Sequence, residues 1–289
     1  MAVADREYWR EGDRRMPGGP SGRITPVVGW LLVLNVAVFF GDLLVLDHWL
    51  AGSGSFTVRT GLLGGRVWEL LTFQFIHGGL GHLALNMIGL YFFGPIAERW
   101  WGSRRFTVFY LACGAAGALG FSALWAVGVF PAAEIDARLV GASAGLYGVL
   151  VAVAVIAPDA RVALVFPPVE MSMRQMAMLM LGIAVLAVMT GLGGNAGGEA
   201  GHLGGAVIGY LLMRRPQWLG WASGRDPDVE IIPPKAFSRK VPRESATDPR
   251  TAAEVDRILD KISAHGIHSL TRAEQKTLER VSKTRNTSP

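Results

Sequence analysis

The chain is short of the residues that staple small secreted domains or build thiolate metal centres. It has one cysteine, Cys113, among 289 residues. An internal disulfide and a cysteine-based zinc site are therefore excluded. Cys113 lies inside an apolar run, where packing is its expected role. Charge is scarce as well. Asp, Glu, Lys and Arg make up 18% of the residues, against about 25% in soluble domains. The net charge is +5, but the basic residues gather at the two ends and in short connectors. That distribution is no footprint for nucleic acid. The opening stretch MAVADREYWREGDRRMPGGPSGR is polar for too long to be a cleaved signal peptide.

Apolar surface is what the chain has in excess. Hydrophobic residues are 51% of it and the mean hydropathy is +0.33. They fall into six runs, at about 27–46, 79–97, 106–130, 139–157, 176–192 and 198–213. Asn35 and Asp42 interrupt the first, and Glu199 and His202 weaken the last. Each run approaches the roughly 20 residues that cross about 30 Å of hydrocarbon. The expected fold is all-α: a polytopic membrane protein of six transmembrane helices.

The connectors orient it. Arg6, Arg10, Arg14, Arg15 and Arg23 precede the first run; Arg99, Arg104 and Arg105 follow the second. Arg161 and Arg174 follow the fourth, and Arg214 and Arg215 follow the sixth. The opposite connectors carry only Arg59, Arg66 and Arg138. The positive-inside rule then puts both termini in the cytoplasm of a cell (inner) membrane protein.

Four regions follow. Residues 1–25 read as a cytoplasmic segment, 26–214 as the six-span domain, 215–248 as a linker and 249–289 as a small cytoplasmic helical hairpin. The hairpin is marked by two capping boxes, Thr251 with Glu254 and Thr271 with Glu274. An apolar stripe, Val255, Ile258, Leu259 and Ile262, follows the first, and Gly266 is a plausible stop. Packing on itself is favoured over binding, and any partner is unknown.

Polar side chains inside apolar helices are costly and so point to function. The second run and its entry hold His77, His82 and Asn86, the fourth Ser143 and the sixth His202. All three runs cross from outside to inside. Counted from their starts, Ser143, His202 and Asn86 lie roughly 6–10 Å below the outer face. Ser143 is the centre of Gly141-Ala142-Ser143-Ala144-Gly145, a G-x-S-x-G pattern. A soluble hydrolase elbow would need a strand before the serine, whereas this serine opens an apolar helix. A Ser-His pair inside a bundle remains possible, with neutral imidazole taking the hydroxyl proton. His82 and Asn86 stand four apart and can aim N–H groups at a developing oxyanion. Tyr147, one turn after Ser143, can stack on His202. Gly141, Gly145 and Gly148 thin one helix and Gly201, Gly205 and Gly209 the other, so that Ser143 and His202 can meet. Asp42 and Glu199 are expected near the outer interface without chemistry. No metal and no cofactor is called for.

These residues resemble the rhomboid family of intramembrane serine proteases. His77-x4-His82-x3-Asn86, the G-x-S-x-G with Tyr147, and His202 with Gly205 and Gly209 match the family's three motifs, in order and on the matching spans. The resemblance covers about 27–213. It implies a rhomboid-like bundle with Ser143 as nucleophile and His202 as general base and acid, without a third acid. It implies an oxyanion site from the Ser143 N–H, His82 and Asn86, and a structural role for His77. It implies single-span transmembrane proteins as substrates, cleaved near the outer face within the lipid bilayer. One departure stands out: many members carry Trp-Arg in the first outer loop, where this chain has Trp68-Glu69. A catalytically silent rhomboid-like binder would usually lack the serine or the second histidine. A transporter would call for an inverted repeat or an ion-pair chain, and neither is evident. The glycine-rich stretch from Thr190 to Gly201 reads as a mobile cap over His202.

Overall fold

An apolar run has no water to satisfy its amides, so its backbone closes on itself as a helix. The computed structural model describes residues 24–163 and 168–222, and further on 254–255, 257–258, 260–262 and 267–278. Six long helices carry the first part: α1 (Pro26–Leu44), α2 (Leu80–Trp101), α3 (Ser103–Ala126), α4 (Ser143–Ile156), α5 (Met173–Thr190) and α6 (Ala196–Arg214). Four of them, α1, α2, α3 and α5, are long and apolar enough to cross a membrane. Between α4 and α5 a small antiparallel pair joins Arg161–Ala163 to Glu170–Ser172. A reciprocal box of Ser172 and Gln175 then starts α5.

The burial pattern is inverted relative to a soluble protein. Trp30, Leu44, Leu85 and Met189 are each more than 70% exposed, while Asn35, Gln74, Asn86 and Glu98 are buried. Large apolar faces turned outward over a polar-bearing interior belong to a chain whose solvent is lipid. This is a multi-pass membrane protein.

Two buried carboxylates hold helix ends. Glu98 is fully buried and accepts hydrogen bonds from the N–H groups of Val27 and Val28, at 3.0 and 2.9 Å. Those are orphan donors of the first turn of α1, so the start of α1 is tied to the end of α2. Asp42 likewise accepts from Leu50 and Ala51, which begin a short helix after α1. Its position near the end of α1 is accounted for by that cap.

The core has two parts. One packs Leu90, Phe93, Ile96, Phe106, Phe109, Tyr110 and Val149 between α2, α3 and α4. The other packs Phe56, Phe73, Phe121, Phe130 and Leu139 under the segment joining α1 to α2. Phe56 and Leu139 also exchange backbone hydrogen bonds, at 3.1 and 2.8 Å. That bridge pins the connector before α4 to the one before α2.

Three boundaries differ from the sequence reading. The fourth helix begins at Ser143, not near Leu139, because Leu139 is spent on the bridge with Phe56. The sixth begins at Ala196, so half of the expected cap is helix and the true connector is Gly191–Asn195. The expected linker from 215 begins with ordered structure. Residues Pro216–Ala222 form 3-10 turns whose Leu219 and Ala222 are buried. Apolar side chains that can reach the core stay on it, whatever the polarity of the stretch that follows.

The C-terminal unit is separate. Helix occurs at 272–278, opened by the Thr271–Glu274 box. Lys261 donates to Glu274 at 2.9 Å, and Ile258 is buried. The N-terminal segment before Ile24, the box at Thr251, Leu259 and Gly266 lie outside the described residues.

Candidate active site

The approach to Ser143 is an abrupt change of direction. Gly141 has φ +112°, a region that side chains rarely adopt. A Cβ there would also lie 2.6 Å from the ring of His82. Its N–H donates to the Phe73 carbonyl at 2.9 Å. Two residues later the helix starts, with Ser143 as its first residue. A first residue has no carbonyl one turn back to accept its N–H. Ser143 therefore offers a hydroxyl and an orphan amide at one point, at the positive end of a helix dipole.

His202 comes from the second turn of α6. Its Nε2 is 2.7 Å from Ser143 Oγ. The Tyr147 ring stacks on its face, centroids 4.2 Å apart and planes within 10°. The pair expected from sequence is thus in hydrogen-bond contact, with the expected tyrosine beside it. Close backbone approach explains the contact. A Cβ on Gly205 would overlap the Ala144 carbonyl, and one on Gly209 would lie 2.7 Å from the Gly148 Cα.

Not every glycine acts where it was expected. Gly145 faces the Tyr110 ring of α3, not α6. Gly201 has Gly117 of α3 as its nearest neighbour. Helix α3 is the third wall of the site: a Cβ on Gly117 would lie 2.6 Å from Ala144 and 2.7 Å from the Gly201 carbonyl. The sequence reading missed it because α3 carries no polar residue of the motifs. The G-x-x-G-x-x-G spacing of Gly114, Gly117 and Gly120 was the available signal.

His82 sits beside Gly141, half-buried, with the His77 ring edge-on at 5.1 Å. His77 is buried just before α2 begins. Asn86 is buried and donates one amide hydrogen to the His82 carbonyl at 2.9 Å. That leaves its second amide hydrogen for another acceptor. Asn86 therefore serves its own helix with one amide hydrogen and keeps the other.

Glu199 makes a contact that the sequence reading did not assign. The sequence reading gave it no chemistry and placed it at the interface. The structure sets its Oε2 2.9 Å from His202 Nδ1, in a partly buried pair. The (i, i+3) spacing was visible, but Glu199 was read as an interfacial charge and not as a partner of His202.

The Trp68-Glu69 departure also has a structural account. Glu69 is almost fully buried, pairs with Arg66 Nε at 3.1 Å and accepts from Thr60 Oγ1 at 2.6 Å. The cation for this loop comes from three residues earlier in the chain.

Comparison with known proteins follows the same residues. A family model described as Rhomboid domain matches residues 64–215, and one described as a family of unknown function (DUF6576) matches 250–284. Rhomboid protease GluP of Bacillus subtilis (strain 168) is 30% identical over 147 residues, 51% of this chain and 25% of its own length. RHOMBOID-like protein 4 of Arabidopsis thaliana is 29% identical over 178 residues, 60% of this chain and 41% of its own. RHOMBOID-like protein 12, mitochondrial, of the same plant is 28% identical over 227 residues, 72% and 63%. The chain thus spans less than two thirds of the length of each of these relatives.

Proposed function

This chain belongs to the rhomboid family, and on that premise we propose that it is an intramembrane serine endopeptidase. The observation that carries the reading is the 2.7 Å contact of Ser143 Oγ with His202 Nε2, between helices of an apolar bundle. One relative is named a rhomboid protease, which agrees with it.

The chemistry is acyl transfer. Ser143 Oγ attacks a peptide carbonyl while His202 Nε2 takes its proton. Negative charge develops on the carbonyl oxygen. The orphan N–H of Ser143, the His82 ring and the free amide hydrogen of Asn86 are the donors available to it. Tyr147 keeps the imidazole in plane. His202 then returns the proton to the leaving amine, and water releases the acyl group by the same steps in reverse.

The reading includes six spans, with α4 and α6 completing the set of four apolar helices. It puts both termini in the cytoplasm and the chain in the inner membrane of its cell. Single-span transmembrane proteins are the substrates, cleaved near the outer face. A helical peptide bond is shielded by its own hydrogen bonds, so a cleavable segment must unwind first.

The test uses purified protein in detergent and in vesicles. A fluorophosphonate should label the parent, and Ser143→Ala should abolish both labelling and cleavage of a transmembrane reporter while the protein stays folded. His202→Ala should do the same. Cleavage retained by Ser143→Ala refutes the mechanism.

A further inference from the structure

The His202 ring is held at both nitrogens. Nε2 meets Ser143 Oγ at 2.7 Å and Nδ1 meets Glu199 Oε2 at 2.9 Å. An ionised carboxylate only accepts hydrogen bonds, so the hydrogen of the second contact belongs to Nδ1. Nε2 then turns a lone pair to the serine hydroxyl, the tautomer a general base requires. Glu199 reaches the ring because it stands three residues earlier on α6. The side chains are 20% and 15% exposed, so water competes weakly for the contact.

We propose that Glu199 is a positioning residue: it fixes the tautomer and orientation of His202 and stabilises the imidazolium formed during attack. The site is then a hydrogen-bonded row of Ser143, His202 and Glu199, not a pair. The inference rests on the serine-protease reading above. Atoms balance without Glu199 gaining a proton. The Oγ–C bond forms, the C–N bond breaks, and the proton passes from Oγ to Nε2 and on to the amine. The carboxylate stays ionised throughout.

A different role would act on stability alone. Glu199 lies in the first turn of α6, where any acid interacts favourably with the helix dipole. The two roles separate in kinetics. In full-length protein, the isosteric Glu199→Gln and Glu199→Ala should lower kcat on a transmembrane reporter by at least about tenfold. KM should change by less than about twofold, and fluorophosphonate labelling of Ser143 should slow by the same factor as kcat. Glu199→Asp should recover part of the loss. A hydrogen-bonded Nδ1–H proton of His202 should be visible by NMR of histidine-labelled parent protein and lost in Glu199→Ala.

If the parent labels and cleaves while Glu199→Gln keeps kcat and labelling within about twofold, the positioning role is wrong, whatever the melting temperature. If the variants do not fold, absence of the Nδ1–H proton in the parent refutes the role independently. A parent that neither labels at Ser143 nor cleaves overturns the protease reading, and this inference with it.

Discussion

Gly205→Ala is the sharpest perturbation of the geometry described here. The new Cβ would overlap the Ala144 carbonyl and lie 3.1 Å from the Cys113 carbonyl. Both obstacles are backbone, so no rotamer relieves them. Restoring ordinary non-bonded separation parts α4 and α6 by roughly 1 Å. The 2.7 Å contact between Ser143 and His202 then opens to about 3.7 Å, beyond hydrogen-bond reach. A misplacement of about 1 Å at a reacting centre costs on the order of 10²-fold in rate, or about 2.7 kcal/mol. Stability moves less, because overpacking costs about 1–3 kcal/mol and Ala gains about 1 kcal/mol over Gly in a helix interior. The assay is kcat on a transmembrane reporter together with fluorophosphonate labelling, each normalised to folded protein by thermal melting. Gly182→Ala is the control, since nothing lies within 4 Å of that position. Ala144→Gly should not rescue, because the obstacle is its carbonyl and not its methyl. Cleavage by Gly205→Ala within about twofold of the parent would show that the helices yield without moving the pair.

Two further outcomes follow from the same site. Asn86→Ala and His82→Ala should each lower kcat by about 10²–10³ with little change in KM, as expected for lost oxyanion donors; an effect confined to KM would make them substrate-binding or packing residues only. Truncation after Ala222 should leave cleavage intact, whereas truncation after Pro216 should lower thermal stability, because it removes the buried Leu219 and Ala222; equal melting temperatures for the two would contradict the packing of Pro216–Ala222.

The site was more legible than the fold around it. Ser143, His202 and Tyr147 were readable because polar groups stand out on apolar helices and their spacing is fixed by the helix repeat. What the sequence hid were the helix starts. Leu139 and Val140 look like span residues, yet Leu139 is an extended bridge partner of Phe56. Hydropathy measures what a residue prefers to touch, not its backbone angle. The start of α6 was obscured in the opposite sense: Ala196 to Gly201 looks like loop, because glycines read as breakers. Here they are helical and allow α3 and α6 to touch. Glu199 was missed because an acid at the start of a span reads as an interfacial charge. The Glu69–Arg66 pair was hidden for a different reason. Burial of the Glu69 carboxylate depends on a loop path through Thr60 that no periodicity encodes.

The start of α4 at Ser143 sets the depth of the candidate site. The serine is not several residues into a span; it begins a helix of 14 residues. At 1.5 Å per residue that helix is about 21 Å long, short of the roughly 30 Å of hydrocarbon. If its C-terminal end reaches one boundary of the hydrocarbon, its first residue lies about 9 Å below the other. The missing length is supplied by the connector through Leu139, and that connector is not lipid-exposed helix. Its backbone is satisfied by Phe56 at Leu139 and by Phe73 at Gly141. Irregular backbone at that depth is tolerable only where protein or water satisfies it. The segment that bridges α5 and α6 is only Gly191–Asn195, three of whose residues are glycines with positive φ. It is short and lies close to His202 in sequence. Opening it alone would admit water but not a second helix. On the proposed function, a transmembrane substrate needs α5 itself to yield, and α5, like α1, is little buried. It packs on α6 and α4 only along one side, and most of its apolar surface faces outward.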